Sequence, residues 1–286
     1  MRYAIGIDIG GTKMRAARVS ADGVMFAHRV MPTPKTSDAV MAQIDALIPE
    51  LVESGVAAIG IGVPGRVDAS KGKVLSGGFV DLSGMPLAER LTKPGSRGVF
   101  IDNDANMALV AESRIGAAKG LAHAILLTIG TGIGGAIMDS GRIIHGGATA
   151  GQLGHVTVDA NGAACACGGR GCVETTSSGT ALRRHIAAAG LEPTTSIAEL
   201  LRREDSAAKS IIAAWAGPLR AAIDGLVAAL DPEVVILGGG LGAAACAALA
   251  DFPARSPWYQ CQVAPARLGD DAGVIGAALA ALEHAA

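Results

Sequence analysis

Twice along the chain an apolar strand runs into a glycine-rich turn and returns as a second strand. The first instance is the apolar run 3–8, the turn Ile9-Gly10-Gly11-Thr12-Lys13, and a strand over 14–20 that 24–30 extends into a meander. The second is the run 122–129, the turn Gly130-Thr131-Gly132-Ile133-Gly134-Gly135, and a strand through 135–138. After the first hairpin, Val40, Ile44, Leu47, Ile48 and Leu51 have helical spacing within 37–54. A buried strand over 57–63 follows, stopped by Pro64-Gly65, then a strand at 98–101 and a helix over 105–116. Late in the chain, a strand at 234–237 ends in Gly238-Gly239-Gly240 and leads into an Ala-rich helix. This alternation predicts an α/β fold of two similar units, each opening with a strand–turn–strand hairpin. The smaller covers 1–115 and the larger 116–270, with the C-terminal helix within 271–286 packing back on the first. The more polar stretch 187–207 reads as a peripheral helical excursion.

With 286 residues there is room for two cores. Half the residues are hydrophobic but only 3% are aromatic, so those cores must be built from small aliphatic side chains packed closely. A net charge of −2 argues against a nucleic-acid surface, which needs clustered Lys and Arg. The Ala-rich runs 211–230 and 241–250 are interrupted by Arg220 and Asp224, or are short, and no membrane span is expected. No secretory leader is expected at Met1 either, so the predicted location is cytoplasmic and reducing. In that compartment clustered cysteines more often hold metal than form disulfides.

Such a cluster is present. His155, Cys165, Cys167 and Cys172 lie within eighteen positions and match the Cys₃His set of structural Zn²⁺ sites. Gly168, Gly169 and Gly171 let the backbone turn back so that Cys172 can reach the first two cysteines. Cys246 and Cys261 lie apart and read as small apolar residues, and His123 and His145 as isolated structural or exposed side chains.

The glycine turns carry a second chemistry. Backbone N–H groups at Gly10, Gly11 and Gly132 can approach an oxyanion closely, Thr12 and Thr131 add hydroxyls, and Lys13 adds positive charge. Asp8, at the strand end, can hold the hydration shell of Mg²⁺. One such turn is an ordinary hairpin; two, each heading an α/β unit, predict a nucleotide held between the units. Asp104 follows the strand at 98–101 and can take a proton from an attacking hydroxyl, with Asn103 and Asn106 beside it as neutral hydrogen-bonding groups. The alternative is that Asp104 only caps a helix starting at Ala105.

Together, Asp8-Ile9-Gly10-Gly11-Thr12-Lys13, Asp102-Asn103-Asp104-Ala105-Asn106, the turn 130–135, Gly151-Gln152-Leu153-Gly154-His155 and the C-x-C-G-x-x-G-C-x-E segment 165–174 resemble the ROK family (repressors, open reading frames, kinases), in order and across nearly the whole chain. The resemblance implies an actin-like ATPase fold of the hexokinase superfamily, two α/β domains around a cleft, a structural zinc loop over 155–172 and a homodimer. It also implies transfer of the γ-phosphate of ATP to a sugar hydroxyl, usually the 6-OH of a hexose, as in a glucokinase. It makes Asp104 the general base, Asn103, His155 and Glu174 sugar contacts, Gly65 part of the sugar pocket, and Thr12, Thr131, Gly132 and Gly239 nucleotide contacts. Family repressors carry a helix-turn-helix ahead of the first turn; with Asp8 so near Met1, none is expected.

Two departures bear on specificity. The family's G-E-x-G-H carries Gln152 in place of Glu, which keeps an acceptor and gains donors but loses the charge. Many family glucokinases have an Asn near the position of Gly78; the nearby Asp81 either replaces it or faces solvent, and the sequence leaves both open. An N-acetylmannosamine or other amino-sugar kinase is therefore an alternative, and a non-catalytic sugar sensor is one of another class.

Overall fold

A computed structural model describes residues 2–77, 81–92 and 98–285. Gly78, which bears on the second departure, lies outside them. The elements in chain order are β1 (Tyr3–Ile9), β2 (Lys13–Ser20), β3 (Met25–Pro32), α1 (Ser37–Leu51), β4 (Val56–Val63), β5 (Arg66–Asp68), β6 (Lys73–Ser76), α2 (Leu87–Leu91), β7 (Gly98–Asn103) and α3 (Asp104–Ile115). They continue with β8 (Ala124–Ile129), β9 (Ile133–Asp139), β10 (Arg142–Ile143), α4 (Glu174–Ser177), α5 (Gly179–Ala188), α6 (Ile197–Leu200), α7 (Ser206–Leu230), β11 (Val234–Gly238), α8 (Gly242–Leu249), β12 (Gln262–Pro265) and α9 (Ala272–His284). One compact unit comprises Met1–Gly120, Arg142–Gly151 and Asp270–Ala286; the other comprises Leu121–Gly141 and Gln152–Gly269.

In the first unit the sheet order is β3-β2-β1-β4-β7. β2 is antiparallel to β1 and β3, whereas β1, β4 and β7 are parallel. In the second unit β9 is antiparallel to β8, and β8, β11 and β12 are parallel in that order. The two sheets thus repeat one pattern: a hairpin whose first strand is joined by two further parallel strands. β4 reads Val-Ala-Ala-Ile-Gly-Ile-Gly-Val and is almost wholly buried, as expected of a central parallel strand covered on both faces.

The low aromatic content has a direct consequence in the first unit. α9 packs on β1, β4 and α3 through backbone. A Cβ added at Gly60 would lie 1.8 Å from Ala277 O, and one at Gly276 would lie 1.6 Å from Met107 O. Ala277, Ala278 and Ala281 fill the same seam. Replacing Gly276 by Ala improves helix propensity by about 1 kcal/mol, but pushes a methyl into a carbonyl. Overpacking of this kind costs about 1–3 kcal/mol or more, so Gly276→Ala is expected to lower the denaturation midpoint. A midpoint at or above that of the parent would show that the seam can spread without cost.

The second unit has a conventional core. α7 is long and apolar enough to cross a membrane by length and composition alone. In the structure Ile211, Trp215, Leu219, Ile223 and Leu226 form a buried stripe against the sheet and neighbouring helices. Trp215 is fully buried and satisfies its indole N–H by donating to Ser178 O at 3.1 Å. Arg220 and Asp224, one helical turn apart, form a buried ion pair at 2.7 Å.

Candidate active site

The carboxyl ends of the parallel strands gather the predicted residues of the first unit. Asp8 on β1 is in register with Gly62 on β4, and Gly62 with Asp102 on β7. Gly62 leaves space between the carboxylates: a Cβ there would sit 3.4 Å from Asp8 Oδ1 and 3.5 Å from Asp104 Cα. Gly273 packs on the other side of Asp8, where a Cβ would come within 2.7 Å of its carboxyl carbon. In open α/β sheets ligands bind at this edge, beyond the carboxyl ends of the strands.

Asp104 is the first residue of α3, and the cap before it is Asn103. The cap is therefore one residue earlier than in the reading that has Asp104 cap a helix from Ala105. Asn103 Oδ1 accepts from the backbone N–H groups of Ala105 (2.9 Å) and Asn106 (3.3 Å). Its Nδ2 donates to Gly65 O at 2.9 Å, tying the β7–α3 junction to the turn after β4. Gly65 has φ 97°, the left-handed region. Asn103 keeps one amide N–H for a ligand.

Loss of hydration pushes the partly buried Asp104 carboxyl up to about 6, opposed by hydrogen bonds from the backbone of Ala105 and Asp104 and from Asn103, and reinforced by the charge of Asp102. Asp8 is pushed up to about 7, first by burial and then by the charge of Asp104; Arg15 opposes this and Asp270 adds to it. Arg15 forms an ion pair with Asp270. Two carboxyls both raised toward neutrality, close together beyond the strand ends, suit a reacting or cation-holding site. Beside them, Gly10, Gly11, Thr12 and Lys13 form the tight β1–β2 turn, closed by Gly10 N–H donating to Lys13 O at 3.0 Å. Thr33 braces it by donating its hydroxyl to Gly10 O at 2.7 Å. Gly11, Thr12 and Lys13 are exposed.

In the second unit the predicted residues converge on the backbone of Ile133, which sequence reasoning did not single out. Ile133 N–H donates to Glu174 Oε2 at 2.7 Å. Gly132 makes room for that carboxylate, since a Cβ there would lie 2.4 Å from the same oxygen. On the other side, Gly154 packs on Ile133, where a Cβ would come within 2.0 Å of Ile133 O. The short helical turn Leu153–His155 that follows Gln152 is thereby seated on the start of β9. Gln152 and His155 are both partly exposed. Thr131 O accepts the Thr180 hydroxyl at 2.9 Å, fixing the turn from α5. Gly239, with φ 74°, lies in the turn after β11 against the backbone of Ile129 at the end of β8.

The Cys₃His cluster forms as expected. The ligand atoms of His155, Cys165, Cys167 and Cys172 all lie within 4.8 Å of one another. Cys165 Sγ is 3.6 Å from His155 Nδ1, and Cys167 Sγ is 3.6 Å from Cys172 Sγ. These separations match the edges of a tetrahedron with bonds of about 2.0–2.3 Å, and they are far longer than a disulfide, so the donor set fits Zn²⁺. Nδ1 of His155 faces the sulfurs, leaving Nε2 for another partner.

Two other expectations are revised. His145 is not isolated: its Nε2 lies 2.7 Å from Oδ2 of the buried Asp102. His123 likewise pairs with Asp139 at 2.7 Å. Asp81, the residue nearest Gly78 among those able to replace its missing group, is exposed and accepts the Ser83 N–H at 2.9 Å within its own loop.

Residues 4–284 match the ROK family. The chain is 33% identical to a glucokinase of Thermotoga maritima over 302 residues, covering 96% of this chain and 95% of that one. It is 34% identical to an N-acetylmannosamine kinase of Citrobacter koseri over 293 residues, covering 97% and 98%. The solved structure of a ROK family glucokinase from Streptomyces griseus, in complex with glucose and AMPPNP, superimposes with a TM-score of 0.83 at 30% identity, covering 98% of this chain and 99% of that one. The fold is accordingly the actin-like ATPase fold in two α/β domains. With its motifs, strand order and overall likeness in agreement, the chain belongs to the ROK family.

Proposed function

We propose that this ATP-dependent sugar kinase transfers the γ-phosphoryl group of ATP to the 6-hydroxyl of a hexose, with glucose as the acceptor. The observation that carries the reading is the convergence of Asp8, Gly65, Asn103 and Asp104 at the carboxyl ends of β1, β4 and β7. Asp104 accepts the proton of the attacking hydroxyl as its oxygen bonds to the γ-phosphorus and the bond to the β–γ bridging oxygen breaks, releasing ADP. A carboxyl held near pH 6 is ionised at neutral pH yet basic enough to take a proton late in the reaction. The transition state of phosphoryl transfer is loose in most accounts, so positioning and charge neutralisation outweigh base strength. The turns at 10–13 and 130–132, with Gly239, bind the phosphates and nucleotide. Asp8, whose carboxyl lacks full compensation for its charge, suits the hydration shell of Mg²⁺, a cation that neutralises phosphate charge when bound. Asn103, Gln152, His155 and Glu174 hold the sugar, the last three from a segment that a Zn²⁺ ion on His155, Cys165, Cys167 and Cys172 would stiffen.

A second reading, an N-acetylmannosamine or related amino-sugar kinase, is favoured by Gln152, because a neutral amide replaces the carboxylate of the family motif. Losing or changing one sugar hydrogen bond is worth about 1–3 kcal/mol, enough to change the preferred acceptor. An ADP-release assay across hexoses and N-acetylhexosamines decides between the readings. Glucose is expected to give the highest kcat/KM, and Gln152→Glu to raise discrimination for it. A preference for N-acetylmannosamine would replace the first reading with the second. Silence with every sugar, alongside measurable sugar binding, would make the protein a sensor.

A further inference from the structure

Asp102 is 3% exposed and both its oxygens are committed. Oδ1 accepts from Asn103 N–H at 2.7 Å and from Asn106 Nδ2 at 2.9 Å; Oδ2 meets His145 Nε2 at 2.7 Å. Asn106 is itself buried, in the first turn of α3. The carboxylate therefore ties the last residues of β7 to the first turn of α3, across the junction that carries Asp104. Its only cationic partner among the described residues comes from far along the chain, in Arg142–Gly151, the segment that groups with the first unit.

A buried carboxylate two residues before a catalytic one is a liability unless its charge is compensated. His145 supplies that compensation from a side chain 39% exposed, where the imidazole can exchange protons with solvent. The hydrogen bond to Asp102 raises the affinity of the imidazole for a proton, against the effect of burial, and so favours its cationic form beside the carboxylate.

We propose that His145 is a positioning residue for phosphoryl transfer: by clamping Asp102 it fixes the β7–α3 junction that presents Asp104, and it offsets the negative charge that lies two residues before the base. The inference rests on the reading of Asp104 as that base. Asp102 on β7 and Asp8 on β1 face Asp104, and Arg15 on β2 with Asp270 ahead of α9 act on Asp8. Asn103 at the end of β7 and Asn106 on α3 are neutral. Of these charges, Asp102 alone is balanced by His145, so changing the pair leaves the others in place.

The test is the pH dependence of kcat/KM in the full chain for the parent, His145→Gln, Asp102→Asn and the double variant, each checked for folding by circular dichroism. In His145→Gln the charge of Asp102 is uncompensated, and the acid limb of the profile is expected to move up by on the order of 0.5–1 pH unit. In Asp102→Asn, which keeps the hydrogen-bond acceptor and removes the charge, it is expected to move down. The double variant is expected to return to the parent position or below. A folded His145→Gln with an unmoved limb and only a lower melting temperature overturns the proposal, as does a double variant displaced as far upward as the single one. Should His145→Gln not fold, an unmoved limb in Asp102→Asn overturns it equally. Asp104→Asn run alongside separates the two levels: retained turnover there removes the base reading and this proposal with it. Silence there, with unmoved limbs in the other variants, removes only the role of His145.

Discussion

Asp104→Asn is expected to abolish turnover and, at the same time, to make the protein harder to unfold. The first effect follows from removing the only proton acceptor proposed for the attacking hydroxyl; general bases are worth about 10²–10⁴ in rate. The second follows from the state of the carboxyl. In the folded protein it is held at about 6 against an ordinary 3.8, so between those pH values the native state keeps a proton that the unfolded chain has released. Stability contributed by this group therefore falls as pH rises through that window, and the full penalty is present above pH 6. Asn carries no charge to desolvate, and its Oδ1 can still accept from Ala105 N–H. With the carboxyl partly exposed, the gain is discounted to about 1–2 kcal/mol, or a melting temperature several degrees higher at pH 8 and unchanged near pH 4. Turnover within tenfold of the parent would sink the base assignment. An equal rise in melting temperature at both pH values would sink the account of why the carboxyl titrates late.

The contrast between those two effects bears on what a sequence of this kind can reveal. The paired hairpins were legible because an apolar run that ends in glycines leaves few alternatives, and β1–β2 and β8–β9 are both present. The cysteine cluster was legible because ligand type and spacing are visible in one dimension. The helix over 105–116 was legible too, but not its cap: Asn103 and Asp104 are both good capping residues, and only the backbone path decides which turns its oxygen inward. The pair of His145 with Asp102 spans forty-three positions and has no local pattern. Ile133 could not have been found at all, since its part is played by a backbone N–H and carbonyl rather than by its side chain. What the sequence concealed, then, were tertiary hydrogen bonds that hold residues in place, not the residues proposed to do chemistry.

The hydrogen bond of Ile133 to Glu174 also bears on what metal removal should do. Considered through His155 alone, stripping Zn²⁺ would loosen the sugar side and leave the nucleotide side intact. But Glu174 lies two residues after Cys172, and its carboxylate is bonded to the end of the turn Gly130-Thr131-Gly132. The Cys₃His loop thus holds both the Gln152–His155 turn, through the candidate ligand His155, and the turn Gly130-Thr131-Gly132, through Glu174. Chelation is expected to weaken sugar binding by about 10–100-fold, the loss of one or two positioned hydrogen bonds, and the binding of a non-hydrolysable ATP analogue by a smaller but measurable factor. Glu174→Gln with metal retained should reproduce part of the nucleotide loss, because the amide oxygen is a weaker acceptor for Ile133 N–H than a carboxylate. Calorimetric titration of each ligand, with metal content and circular dichroism measured on the same samples, reads these effects without turnover. Unchanged nucleotide affinity in both the metal-free protein and Glu174→Gln would break the link through Ile133. Equal and complete loss of both ligands, together with loss of helical signal, would show that the metal is needed for the second unit to fold, as it is in small zinc domains.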